Sequence, residues 1–178
     1  MKLLYLLPAM MLMILIFYFS SQEASASTET STSLGRGIIF VKCAVLGEDL
    51  SESEIEKQAL YIDHAVRKTA HATEYMVLGI LLCLGIFKSE ICGKVKKVST
   101  PDAVKSIENT GVSRKINIYL ISACVAILYA CSDELHQYFV PGRSAQLGDV
   151  LIDSAGAIVG VLIYYFMSTK IKWLTGNK

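Results

Sequence analysis

Ten residues in three short stretches carry most of the chemistry this chain could perform. Lys68, His71 and Glu74 form the first set, Asp133, Glu134, His136 and Gln137 the second, and Arg143, Asp149 and Asp153 the third. Residues three or four apart are neighbours on a helix surface, so Lys68, His71 and Glu74 would share a face, as would Asp149 and Asp153. Asp133 would meet Gln137 if helix continues past Ser132. Brought together, these sets hold five carboxylates against two fixed cations, Lys68 and Arg143. Closely packed carboxylates cannot all ionise cheaply, so a histidine proton, a bound cation or a carboxyl proton must balance them. Arg143 is the candidate for a bidentate carboxylate clamp.

Three uses of such a cluster stay open. It could be a structural clasp of ion pairs, an outward-facing pocket for an amphiphile, or a metal-assisted or acid–base centre acting on an envelope lipid. His71, Glu74, Glu134, His136, Asp149 and Asp153 offer donor types suited to Zn²⁺ or Mn²⁺. However, His71 and Glu74 do not have the H-E-x-x-H spacing of zinc proteases, and no serine or cysteine nucleophile motif stands out. No metal or cofactor is assigned, and no catalytic residue.

The elements that must position these groups are apolar. Apolar residues make up 53% of the 178-residue chain and charged residues only 19%, against roughly 25% charged in soluble domains. The net charge of +1 gives no footing for nucleic acid. Apolar blocks run over Leu3–Phe19, Tyr75–Phe87, Ile116–Cys131 and Val150–Met167. A spanning helix needs ~20 apolar residues, so the second block spans only if its helix starts near Thr69 and takes His71 and Glu74 with it. The expectation is an all-α polytopic membrane protein with four transmembrane helices at about 3–19, 69–87, 116–133 and 149–167. A charged side chain in such a helix faces the bundle interior, which places Glu74 and Asp153 inward. The first block also resembles a signal peptide, with Lys2 before it and Ala24-Ser25-Ala26 after it, although its apolar core is long for one.

Basic residues set the orientation. Lys2, the seven basic residues of Lys88–Lys115 and the three of the C-terminal tail total 11 on one side, against six on the other. Both termini then lie in the cytoplasm of a multi-pass plasma-membrane protein. Residues 20–68 form an extracytoplasmic loop and 88–115 a basic cytoplasmic loop within a single domain, 1–178. All three cluster stretches fall at the outer face. The Ser/Thr-rich run Ser20–Ser33 reads as a flexible strap, and Asp49–Tyr61 as a short surface helix. His64 reads as a surface histidine. Gly156 and Gly160 form a G-x-x-x-G surface, extended by Gly148 and Ala155, for close helix packing within the chain. Of five cysteines, Cys83 and Cys124 read as small core residues, and spacing leaves a Cys43–Cys131 disulfide open.

Four pieces of sequence resemble the VanZ family of bacterial membrane proteins, named for teicoplanin resistance. They are Phe17-Tyr18-Phe19-Ser20-Ser21-Gln22; Lys68-Thr69-Ala70-His71-Ala72-Thr73-Glu74-Tyr75 with Leu78-Gly79; Ser132-Asp133-Glu134-Leu135-His136-Gln137-Tyr138-Phe139-Val140-Pro141-Gly142-Arg143; and Asp149-Val150-Leu151-Ile152-Asp153-Ser154-Ala155-Gly156 with Gly160. The third is the most specific. The resemblance implies a small polytopic membrane protein linked, in some members, to lower susceptibility to lipid-bearing glycopeptides. It supplies no reaction. The expected partners are the bilayer and either a lipid-anchored envelope polymer or a lipoglycopeptide.

Overall fold

The computed structural model describes the backbone of residues 2–95 and 102–175, and side chains from 4 to 89 and from 116 to 170. The fold is all-helical, with no strand among the described residues. A 3₁₀ turn, Lys2–Leu6, leads into α1, Leu7–Ser20, and α2, Ala24–Leu46, follows; α3 is Glu52–Val95, α4 Asp102–Gln137 and α5 Leu147–Thr175. Among the described residues, three helices are long and apolar enough to cross a membrane: α3 over Glu52–Ser89, α4 over Ile116–Gln137 and α5 over Leu147–Lys170. A fourth span is reached if Leu4–Ser20 and α2 are taken as one segment bent by 108°. The 3₁₀ turn and α1 alone would measure about 31 Å at standard rises, close to the ~30 Å of a hydrocarbon core. About a third of each long span is buried in the protein. The rest presents side chains such as Leu120, Leu128, Leu151, Leu162 and Phe166 outward, as lipid contact requires.

Several stretches differ from the sequence expectation. The segment 20–68 is mostly helical, over Ala24–Leu46 and again from Glu52. The supposed strap enters α2, where Thr30 and Ser31 hydroxyls bond back to the Ala26 and Ser27 carbonyls. Such local bonds normally compete with helix. Here packing on α3 decides: Gly35 brings α2 against Ala59, Ser31 bonds Asp63, and Arg36 pairs with Glu56. Gly47, at φ +70°, closes α2 with a left-handed cap. Likewise, Asp49–Tyr61 is no separate surface helix but contributes the first turns of α3. The Glu54 carboxylate makes one half of a capping box there, accepting the Ser51 N–H at 2.9 Å, and it also accepts the Ser51 hydroxyl at 2.7 Å. At 44 residues, α3 runs about 66 Å, more than twice the hydrocarbon thickness, so one rigid helix serves both the bundle and the α2 layer.

The bundle core joins Ala9 and Ile16 of α1, Tyr75, Leu78 and Leu82 of α3, Ala126 and Ala130 of α4, and Ala157 of α5. Helices α3 and α5 make the most extensive pairing. A Cβ at Gly156 or Gly160 would collide with the carbonyl oxygen of Ala72 or Met76, and one at Gly79 would lie 2.5 Å from that of Ala157. The G-x-x-x-G surface therefore packs within the chain. It does not extend to Gly148, which meets nothing within 4 Å, or to Ala155, which is exposed. Cys83 is buried, whereas Cys124 is exposed on α4. Cys43 and Cys131 are both free thiols, so the disulfide is not formed. Of the basic segment 88–115, residues 88–95 continue α3 and 102–115 begin α4 instead of forming loop, and 96–101 lie outside the described residues.

Gly156→Leu should lower the detergent-phase melting temperature by the equivalent of about 1–3 kcal/mol or more, through overpacking. Gly148→Ala, in open space, should be neutral or stabilising by at most about 1 kcal/mol. A thermal melt of both variants checks the pair.

Candidate functional site

The polar residues collect at the end of the bundle where α1, α3, α4 and α5 meet. On α3 a single stripe, His64, Arg67/Lys68, His71 and Glu74/Tyr75, passes into Leu78 and Leu82 of the core. The same face thus changes from charged to apolar along the helix. On α4 the stripe is Ala126, Ala130, Asp133/Glu134 and Gln137, and on α5 it is Asp149, Asp153, Gly156/Ala157 and Gly160. Close approach at the glycines brings Asp153 against α3. Asp133, Glu134, Gln137 and Asp153 are all buried.

A chain of hydrogen bonds ties α1 to α4 and to the turn after it. The Ser20 hydroxyl donates to Asp133 Oδ2 at 2.8 Å, and the Gln137 amide donates to the same oxygen at 3.3 Å. Arg143 Nη1 donates to Gln137 Oε1 at 3.0 Å, Nε to the Gln22 carbonyl at 3.0 Å, and Nη2 to the Phe19 carbonyl at 3.5 Å. The expected carboxylate clamp is therefore not made. Arg143 instead caps the carbonyl end of α1, where orphan acceptors need a donor. Burial pushes its guanidinium below the ordinary value, with Arg67 adding to this and Asp133 and Glu134 opposing it; the group stays charged at any physiological pH. Pro141 and Gly142, at φ +74°, form the turn that sets Arg143 in place. The Pro141 carbonyl also accepts the Ala24 N–H at the start of α2.

Two further links reach α5. Glu134 Oε1 accepts the Gln146 backbone N–H at 2.6 Å, placing a carboxylate at the positive end of that helix. Lys68 Nζ lies 2.7 Å from Asp149 Oδ1 and joins α3 to α5. Glu74 lies 3.7 Å from His71 Nδ1, beyond hydrogen-bond range.

A cavity of about 200 Å³ opens among these groups. Lys68, His71, Glu134, Gln137, Arg143, Asp149 and Asp153 line it, as do His64 and Arg67. A second cavity of about 180 Å³ shares Arg67, His71 and Arg143 with the first but is walled by Phe19, Leu34, Val66 and Ala70; Glu74 lies in this one. Asp133 lines neither and sits behind the wall, bonded to Ser20. His136 stands apart. Its ring stacks on Phe17 at 4.3 Å and its Nε2 lies 3.1 Å from the Ser21 hydroxyl, so it clasps α4 to α1.

Sequence reasoning missed Ser20 and Arg67 as members of the site; His64 is exposed, as expected of a surface histidine, and also borders the first cavity. The signal for Arg67 was its spacing of four residues from His71 on a continuous helix. It was hidden by treating 20–68 as loop. The signal for Ser20 lay in its short motif at the end of α1.

An all-helical fold with three to four spans and a buried polar site at one bundle end defines a polytopic membrane protein. A family model described as VanZ/LLP1 matches residues 5–168, nearly the whole chain, and the protein belongs to that family. No curated protein and no solved structure matches it.

Arg143→Lys keeps the charge but loses the planar fork that reaches three acceptors. It should cost about 1.5–3 kcal/mol, seen as a lower melting temperature in detergent; an unchanged melt would show that the fork carries no stability.

Proposed function

We propose that the bundle end carrying the cavities faces outward from the plasma membrane and binds an envelope amphiphile, lowering susceptibility to teicoplanin-type lipoglycopeptides. One observation carries this reading: a cavity lined by charges of both signs adjoins an apolar one, with Arg67, His71 and Arg143 shared between them. Such a pair matches a molecule with a polar, amine-bearing head and a fatty chain. Charged groups at the head would meet Lys68, Arg67, Glu134 and Asp149 by exchanging with the pairs these now make, while Phe19, Leu34, Val66 and Ala70 would receive the chain. The excess of Lys and Arg in the segments at the opposite end supports the outward placement. The family resemblance supports the class of ligand.

In a susceptible host, the wild-type chain should raise the inhibitory concentration of teicoplanin. Glu74→Gln, at equal membrane level by blot, should lose most of that protection. Purified protein should bind teicoplanin at least about tenfold more tightly than a glycopeptide without an acyl chain, a difference of ~1.4 kcal/mol. Equal binding of the two would remove the amphiphile reading, and no protection by the wild type would remove the resistance role.

A further inference from the structure

We propose that His71, Asp133 and Asp153 form a binding site for a divalent first-row transition ion, Mn²⁺ or Zn²⁺. One ring nitrogen of His71 and one carboxylate oxygen each from Asp133 and Asp153 all lie within 4.8 Å of one another. They come from three helices, α3, α4 and α5, that the core already holds in register.

The acidic cluster alone would not carry this. The decisive observation is that His71 Nδ1, Asp133 Oδ1 and Asp153 Oδ1 are buried without a hydrogen-bond partner, in residues of which Asp133 is 2% and Asp153 3% exposed. Buried polar atoms left unpaired are expensive, and each of these three neighbouring residues carries one. Among the described residues, no Lys or Arg forms an ion pair with Asp133 or Asp153. Lys68 is spent on Asp149, and Arg143 on two carbonyls and Gln137. Two carboxylates and a dication sum to zero charge, which an apolar bundle tolerates far better than a bare anion pair.

The surrounding bonds support a ligand role. Ser20 and Gln137 both donate to Asp133 Oδ2, which orients the carboxylate and leaves Oδ1 free. Metal-binding carboxylates are oriented by outer partners in this way. His71 and Asp153 line the first cavity, which gives an ion a path to the site. One imidazole with two carboxylates suits Mn²⁺ or Zn²⁺ and is a poor match for Ca²⁺, which takes only oxygen. The site lies at the inner wall of that cavity and does not depend on the amphiphile reading.

The test is titration of Mn²⁺, Zn²⁺ and Ca²⁺ into the full chain purified in detergent, with pulsed EPR of the Mn²⁺-loaded protein. One Mn²⁺ or Zn²⁺ should bind per chain, and the EPR should show a nitrogen coupling from His71. Asp153→Asn and His71→Gln should weaken binding by more than the ~10–100-fold that loss of an outer partner costs, and Ser20→Ala by about that range. Glu56→Gln, remote on α3, should bind as wild type. No saturable binding, no nitrogen coupling, affinity for Ca²⁺ equal to that for Mn²⁺, or full binding by Asp153→Asn would each overturn the assignment. The wild-type measurements decide the matter even if a variant fails to fold.

Discussion

Everything at the polar end of this protein follows from the burial of Asp133 and Asp153 inside an otherwise apolar helix bundle. A carboxylate in a membrane span is costly and is tolerated only where it faces protein or a water-filled cavity. That constraint explains the neighbours it has. Ser20 and Gln137 supply donors to Asp133, and glycines at 156 and 160 let α5 come close enough to α3 that Asp153 is covered rather than exposed to lipid. The small-residue seam between α3 and α5 thus runs directly into the polar end.

Clasp and pocket overlap in Gln137 and Arg143, which fasten the turn after α4 and also line the first cavity. Arg143, Gln137, Ser20 and His136 are occupied with each other and with backbone, and they fasten α1 and the turn after α4 to the bundle. Arg67, Lys68, His71, Glu134, Asp149 and Asp153 line the space that this fastening leaves. Part of the cluster is thus engaged in fastening helices, and the binding proposal concerns the groups that line the cavities, while the metal proposal adds Asp133 behind the wall. Truncating a clasp residue and truncating a lining residue have different signatures: the first acts through stability, the second at unchanged protein level.

Much of this was legible in the sequence. Long apolar blocks gave α4 and α5, and the need to lengthen the Tyr75–Phe87 block correctly drew His71 and Glu74 into helix. Four-residue spacing anticipated the Asp133–Gln137 bond. What failed did so for identifiable reasons. The first half of α2 is rich in Ser and Thr, whose local preferences oppose helix, and packing of α2 on Ala59, Asp63 and Glu56 supports it. Arg143 was expected to seek a carboxylate, but the unsatisfied carbonyls at the end of α1 are nearer acceptors, and tertiary placement of a turn cannot be read from spacing. The ligand triad draws one residue from each of three helices, so no local motif could reveal it.

An envelope ligand can reach the polar pocket only if the pocket is open to water outside the cell. The most direct test replaces the five native cysteines and places single cysteines at Ser144, exposed at the pocket mouth, and at Lys88, exposed toward the other end of α3. A membrane-impermeant maleimide should label Ser144→Cys in intact cells and Lys88→Cys only after lysis. The reverse pattern would turn the pocket toward the cytoplasm and contradict a role in meeting an envelope ligand.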